Sequence, residues 1–317
     1  MFCRTKIQEG LGLSNIIKIK VMKPKIKSYP FTSILGWSPS RYDAFNYCKR
    51  RYYYSYYSKF DREFGKEQIG RLKAMSSLAL EVGIISHDII AEVLRRISKS
   101  NDPINIVRLE ERIRLAVEEN SRNKVMMEVF YGERGPVSFE ELFTPVLQSV
   151  MNFIGSDRFI WANTMNDSFK RSWVIEPEGF GETRLAGLKA YCKVDFMLFD
   201  GTHVHILDWK TGKTDPAKYT RQMIGYALFA KEATGVSLDQ IKPALAFIRE
   251  GYQEVAVEVK ELDGETITEQ VKLESQQMFD MTIDKDLNIP RDKSEFPMTD
   301  NVARCGYCEY RELCARN

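Results

Sequence analysis

Histidine is scarce in this 317-residue chain, with three in all, and long apolar runs are missing altogether. No stretch approaches the ~20 apolar residues that a membrane-spanning helix needs, so no membrane span is expected. No internal repeat or low-complexity tract is visible. The opening stretch, "MFCRTKIQEGLGLSNIIKIKVMKPKIK", lacks the continuous apolar region and small-residue cleavage site of a secretory signal. An intracellular, cytoplasmic protein is therefore expected; a start at Met22, with residues 1–21 a disordered extension, stays open. A strong net charge is also missing: the balance is +2, which by itself says nothing about nucleic acid. "TGKT" at 211–214 has the ending of a phosphate-binding loop, but Leu207 stands where that pattern requires glycine. An ATPase motor is excluded on that ground.

What is present suits a globular protein: 44% hydrophobic and 28% charged residues, with length enough for one large domain or two smaller ones. The charge is unevenly spread. Residues 1–27 carry seven Lys/Arg against one Glu, and "SRYDAFNYCKRRYYYSYYSKF" (40–60) carries five against one Asp. Basic stretches threaded with aromatics suit phosphate contact and base stacking, with Arg41, Arg50, Arg51 and Tyr53 as candidates. A solvated basic face with core tyrosines is the plainer reading of the same residues.

The hydrophobic period divides the rest. "SSLALEVGIISHDIIAEVLRRI" (76–97) has helical spacing. "NDP" at 101–103 offers a cap followed by proline, predicting a charged helix to about Val129. Ser138 and Glu141 form a capping box opening a helix to about Phe153, so residues 61–160 read as largely helical. Strands then follow at 171–180, 183–200, 202–212, 242–250 and 252–260, with a turn at Asp200-Gly201. A helix at 215–235 interrupts them, and another is expected over 263–281. This order implies a mixed sheet with a crossover helix.

The chemistry gathers at "HVHILDWKTGK" (203–213). Side chains alternate along a strand, so Asp208 and Lys210 share a face with Val204 and Ile206, while Leu207 and Trp209 take the other. A hairpin through Asp200-Gly201 brings Asp195 beside Asp208. Two adjacent carboxylates repel unless one is protonated or a cation lies between them. A hard cation such as Mg²⁺ suits such a pair, and Lys210 could orient an attacking water or neutralise a phosphate. A strand-end salt bridge is the simpler alternative for Asp208 and Lys210. His203 and His205 could bind metal too, but they lie on the opposite face, and a structural or surface role is read for them.

"GLKAYCKVDFMLFDGTHVHILDWKTGK" resembles the core of the PD-(D/E)XK nuclease superfamily, in particular its RecB-like branch. "EVGIISHDIIAEVL" resembles the branch's upstream helix through Gly83 and His87, and "YTRQMIGYALFA" its Q-x-x-x-Y helix through Gln222 and Tyr226. Gly187 stands earlier than the usual glycine. The resemblance implies a restriction-endonuclease-like α/β core and an Mg²⁺- or Mn²⁺-dependent site. In it His87, Asp195, Asp208 and the Trp209 carbonyl hold metal, and Lys210, Gln222 and Tyr226 serve catalysis. Glu176 is a further candidate acid.

Six cysteines include "CGYCEYRELC", which spaces Cys305, Cys308 and Cys314 as metal ligands. Cys48 is the best fourth, whereas Cys3 and Cys192 look unpartnered, with Cys192 on an apolar strand face. The segment around Cys48 resembles that of iron–sulfur members of the branch, except that Lys49 replaces proline. The resemblance implies a [4Fe–4S] cluster, with Zn²⁺ the competitor. It also implies relatives among CRISPR-associated exonucleases and the AddB/RecB nuclease domains.

The expected layout is a basic, flexible segment over 1–30 and one nuclease domain over 31–317. That domain holds a helical insertion at 61–160, a catalytic sheet at 170–260, and a cluster region of 300–317 with Cys48. The expected function is a DNA nuclease acting on single strands or free ends, in repair, CRISPR adaptation or mobile-element processing, with a helicase or adaptation partner in trans. The alternative is a non-catalytic or partner-activated nucleic-acid-binding subunit that retains the fold.

Overall fold

The computed structural model describes residues 24–177 and 181–316. Cys3, Met22 and most of the basic N-terminal segment lie outside them. Helices α1 (Pro39–Tyr47), α2 (Lys49–Tyr57), α3 (Lys66–Lys73), α4 (Leu78–Ile97), α5 (Ile106–Asn123), α6 (Met127–Phe130), α7 (Phe139–Ile154), α8 (Asp157–Asn163) and α9 (Asp167–Lys170) come first. Strands β1 (Val174–Ile175), β2 (Glu182–Leu185), β3 (Leu188–Tyr191), β4 (Phe196–Phe199) and β5 (Val204–Lys210) follow. Then come α10 (Pro216–Thr234), β6 (Ile241–Phe247), β7 (Gln253–Ala256), α11 (Glu261–Phe279), β8 (Thr282–Asp284) and β9 (Ile289–Pro290). No helix among the described residues is long and apolar enough to cross a membrane.

The central sheet runs β1-β4-β5-β6-β7. β5 and β6 are parallel, joined through α10, and the other pairings are antiparallel, as the alternation of strand and helix predicts. Asp215 caps α10 with Pro216 in its first turn, and Gly235 ends it in the left-handed conformation at φ 75°. β2 and β3 form a separate hairpin. Gly187, at φ 76°, sits in its turn, away from Asp195.

Alternation along β5 divides the interior into two cores. Val204 and Ile206 pack with Met223, Ile224 and Ala227 of α10 and with the buried tyrosines of α2. Leu207 and Trp209 pack with Ile85 and Ile89 of α4 and Val146, Val150 and Phe153 of α7. The Trp209 and Phe153 rings lie 4.9 Å apart. The sheet is thus clad by helices on both faces, the mixed α/β arrangement expected.

Three expectations are corrected. The second long helix begins at Ile106, not at Pro103, because the Asn105 side chain accepts from the Arg108 N–H at 3.0 Å and makes the cap. Asp102 and Pro103 instead offer their carbonyls to Arg96 in a loop. That helix also stops at Asn123 rather than Val129, since Met126 pairs with Ser76 in an extended bridge. Third, residues 24–30 are not a free tail: the Lys25 N–H donates to Ala233 O at 2.8 Å, and Lys27 pairs with Glu232 at 2.9 Å. The capping box of α7 forms as expected, with the Ser138 N–H donating to Glu141 at 2.9 Å.

Candidate active site

Register sets the site. Phe196 pairs with Leu207, so the residue just before β4, Asp195, stands across from Asp208 near the end of β5. The Trp209 N–H donates to Asp195 Oδ2 at 2.9 Å, fixing that carboxylate at the strand edge. Within one strand residue N–H and C=O project to the same side, so the Trp209 carbonyl is also directed toward the Asp195 edge. α4 supplies His87, whose Nδ1 lies 3.3 Å from the same Asp195 Oδ2. Gly83, one turn earlier, explains how α4 comes so near: a Cβ there would lie 3.1 Å from the Thr211 hydroxyl.

On the other side of Asp208 the contacts continue without a break. Asp208 is 2% exposed, and its Oδ2 meets Lys210 Nζ at 2.5 Å. That contact is an ion pair: Oδ2 accepts no hydrogen bond of good geometry. Lys210 Nζ donates to Gln222 Oε1 at 3.2 Å, and Gln222 Nε2 reaches Asp208 Oδ1 at 3.4 Å. Gln222 also donates to the Tyr226 hydroxyl at 2.7 Å, which donates to Lys193 O at 2.8 Å. Tyr219, one turn before Gln222, puts its ring 4.1 Å from Lys210 Nζ. The sequence reading missed Tyr219, although its spacing of three from Gln222 places both on one helix face.

Electrostatics agree with an acid pair that wants positive charge. Burial raises the Asp208 carboxyl to about 7, and Asp195 beside it pushes the same way against Lys210. Burial opposes charge on the His87 ring, but Asp195 and Asp208 together outweigh it and hold His87 at about 9. One ligating atom each from His87, Asp195 and Glu176 lies within 4.8 Å of the others. Glu176 sits at φ 38°, a left-handed conformation that costs a non-glycine residue of order 1 kcal/mol. Its N–H donates to Asp195 O at 3.0 Å. This strained turn carries Glu176 into the cluster, so the donor set of Asp195, Glu176 and one imidazole fits a divalent cation, with Mn²⁺ suiting the nitrogen ligand better than Mg²⁺, and Asp208 is the next carboxylate across the strand pair.

The basic aromatic segment needs correction as a stacking surface. Tyr53 is 3% exposed, its ring 5.1 Å from Phe296, so it offers no face to a base. Arg41 donates to the Tyr52 hydroxyl and lies over Tyr56, Arg50 donates to Phe296 O, and Arg51 pairs with Glu309. Arg50 and Arg51 thereby hold α2 to the C-terminal tail, while Arg41 ties α1 to α2.

The cysteines are brought together by that same seam. The Tyr47 hydroxyl donates to Arg304 O at 2.9 Å, and Arg304 returns a bond to Tyr47 O at 3.1 Å, so Cys48 lies against the tail. Cys308 and Cys314 are raised by burial first, and the charge of Cys48 reaches both. All four are free thiols. Cys192 is buried, within 3.8 Å of Gly225 O, in the apolar position expected.

The family model of the PD-(D/E)XK nuclease superfamily matches residues 36–315. Among solved structures, the crystal structure of SSO0001 is similar at 15% identity, covering 64% of this chain and 95% of that one with a TM-score of 0.30. A search of the curated proteins found no match.

Proposed function

This chain belongs to the PD-(D/E)XK nuclease superfamily, and we propose that it is an Mg²⁺- or Mn²⁺-dependent deoxyribonuclease of the RecB-like branch that acts on single strands or DNA ends. One observation carries this reading. His87, Asp195, Asp208, Lys210, Gln222 and Tyr226 come from three separate stretches of chain and meet in one connected set of contacts. A salt bridge at a strand end requires two of these residues; phosphodiester hydrolysis uses them all.

In this reading His87, Asp195, Asp208 and the Trp209 carbonyl hold the metal, with Glu176 as the further acid. The metal supplies Lewis-acid polarisation of the phosphate. His87 would hold it only after giving up its extra ring proton, because a ligating imidazole must be neutral. Lys210, steadied by Asp208, Gln222 and Tyr219, orients the attacking water and balances charge developing on the phosphate. Tyr226 fixes Gln222 from behind.

The domain runs over 31–317 with residues 24–30 laid against α10, and holds the helical insertion at 61–160, the catalytic sheet at 170–260, and a cluster region formed by 300–317 with Cys48. We assign a [4Fe–4S] cluster to Cys48, Cys305, Cys308 and Cys314. Zn²⁺ at the same four thiolates is the competitor, and iron content decides between the two. Its partners are DNA and a helicase or CRISPR-adaptation protein in trans, in the cytoplasm.

The test is cleavage of end-labelled single- and double-stranded DNA with Mg²⁺, Mn²⁺ or EDTA, using protein prepared without oxygen. Cation-dependent cleavage lost in both Asp208→Ala and Lys210→Ala is expected. Folded wild type that binds DNA and never cuts it would replace this reading with the non-catalytic binding subunit.

A further inference from the structure

Two of the three histidines take no part in the site above. From their placement we infer that Asp200, His203 and His205 form a second metal site, at the turn of the β4–β5 hairpin, for a divalent transition ion of the Zn²⁺ class. One ligating atom from each lies within 4.8 Å of the other two. Asp200 Oδ1 accepts the N–H groups of Thr202 and His203 at 2.8 and 2.7 Å, which fixes the carboxylate. Its Oδ2 is thereby turned to the imidazoles, 2.7 Å from His205 Nε2 and 4.0 Å from His203 Nδ1. Gly201, at φ 104° and with the Phe169 ring 3.3 Å from where a Cβ would stand, makes a turn that other residues would strain. The His205 ring is held at its back by Trp161, with centroids 5.0 Å apart.

The donor chemistry selects the ion. Two imidazoles and a carboxylate favour Zn²⁺, Ni²⁺ or Cu²⁺ over Mg²⁺, and three protein ligands leave a fourth position for water. Atoms no more than 4.8 Å apart lie within about 2.8 Å of a common centre, against bonds of ~2.1 Å. The site therefore closes with at most ~0.7 Å of movement, and His203, whose side chain is 38% exposed, is free to supply it. The nearby Arg158 is held by both oxygens of Glu254, so its charge is matched. Burial lowers the affinity of His205 for a proton, keeping the ring in its ligating form. On binding, the ring proton passes from Nε2 to Nδ1 and Nε2 takes the ion, with no net proton change.

The site is separate from the nuclease cluster. Asp195 and Asp200 are five residues apart along β4, roughly 17 Å at strand rise, too far to share one ion. An ion here would staple the turn of the hairpin whose other end spaces Asp195 from Asp208.

With only three histidines in the full chain, each ring can be followed separately by ¹H–¹⁵N spectra during a Zn²⁺ titration. The His203 and His205 rings are expected to shift together at one midpoint, in wild type and in Asp208→Ala alike. In His203→Ala the His205 response should move to at least roughly tenfold higher Zn²⁺, and Asp200→Asn, which can keep the turn, should weaken both. Rings that stay unmoved while Zn²⁺ binds elsewhere would overturn the inference, as would a His205 response indifferent to the loss of His203.

Discussion

Cation-free protein should lose stability as the pH rises toward 9, with His87 as the cause. Its folded-state value, about 9, lies above the ordinary 6.5. A raised value means that the native state holds the proton more tightly, so the stabilisation is complete below 6.5 and gone above about 9. Full conversion of that shift is about 3 kcal/mol. The side chain is 26% exposed and partly screened by water, so the loss expected is about 2–3 kcal/mol. Asp208 acts in the window just below. Raised to about 7, it also makes the native state the better proton binder, and stability falls from its ordinary 3.8 upward. The His87 contribution is therefore read above pH 7, as the difference in urea unfolding free energy between wild type and His87→Asn with chelator present. Parallel curves for the two proteins would refute the reasoning, and so would a wild type that gains on His87→Asn toward pH 9. Added Mn²⁺ should flatten the decline, because the cation binds the deprotonated ring.

Removing the Tyr226 hydroxyl (Tyr226→Phe) takes away its bonds to Gln222 and Lys193 O. A stability loss of about 1–3 kcal/mol and a kcat lowered roughly tenfold at unchanged KM are expected; loss as complete as in Lys210→Ala would contradict a positioning role. Gly83→Val crowds Thr211 and should cost about 1–3 kcal/mol and weaken Mn²⁺ binding, measured by calorimetry. Gly83→Ala, with one contact at 3.1 Å, should stay near neutral because helix propensity offsets the crowding; equal damage from both would show that space at Gly83 is not what matters. Cys48→Ser should abolish iron content and visible absorbance in anaerobic protein, and retention of both would remove Cys48 from the cluster.

The strand–helix–strand core was legible because its signals are local and strong. β5 alternates between two cores, α10 carries its own proline and glycine punctuation, and a D-x-K pair at a strand end leaves few places to go. The expectation failed where several caps compete, as Asn101 and Asn105 do, since a loop bonded to Arg96 decides between them. It failed also at "RRYYYSYY", where a run of tyrosines gives no periodic contrast and the partners that bury it, Phe296 and Tyr310, lie about 240 residues on. Glu176 was unreadable as more than a candidate, for a strained φ leaves no mark in composition. His203 and His205 were judged by strand face alone, and Asp200 came into view only with the turn.

The two cores have a consequence for how the protein comes into being. His87 rides on the layer that packs against Leu207 and Trp209, whereas Gln222 and Tyr226 ride on the layer that packs against Val204 and Ile206. The acid pair and Lys210 lie in the sheet between. A chain emerging from the ribosome makes the first layer early and cannot supply the second until α10 has been synthesised. The assembled site is thus a conjunction of both halves, and neither half alone carries all of its side chains.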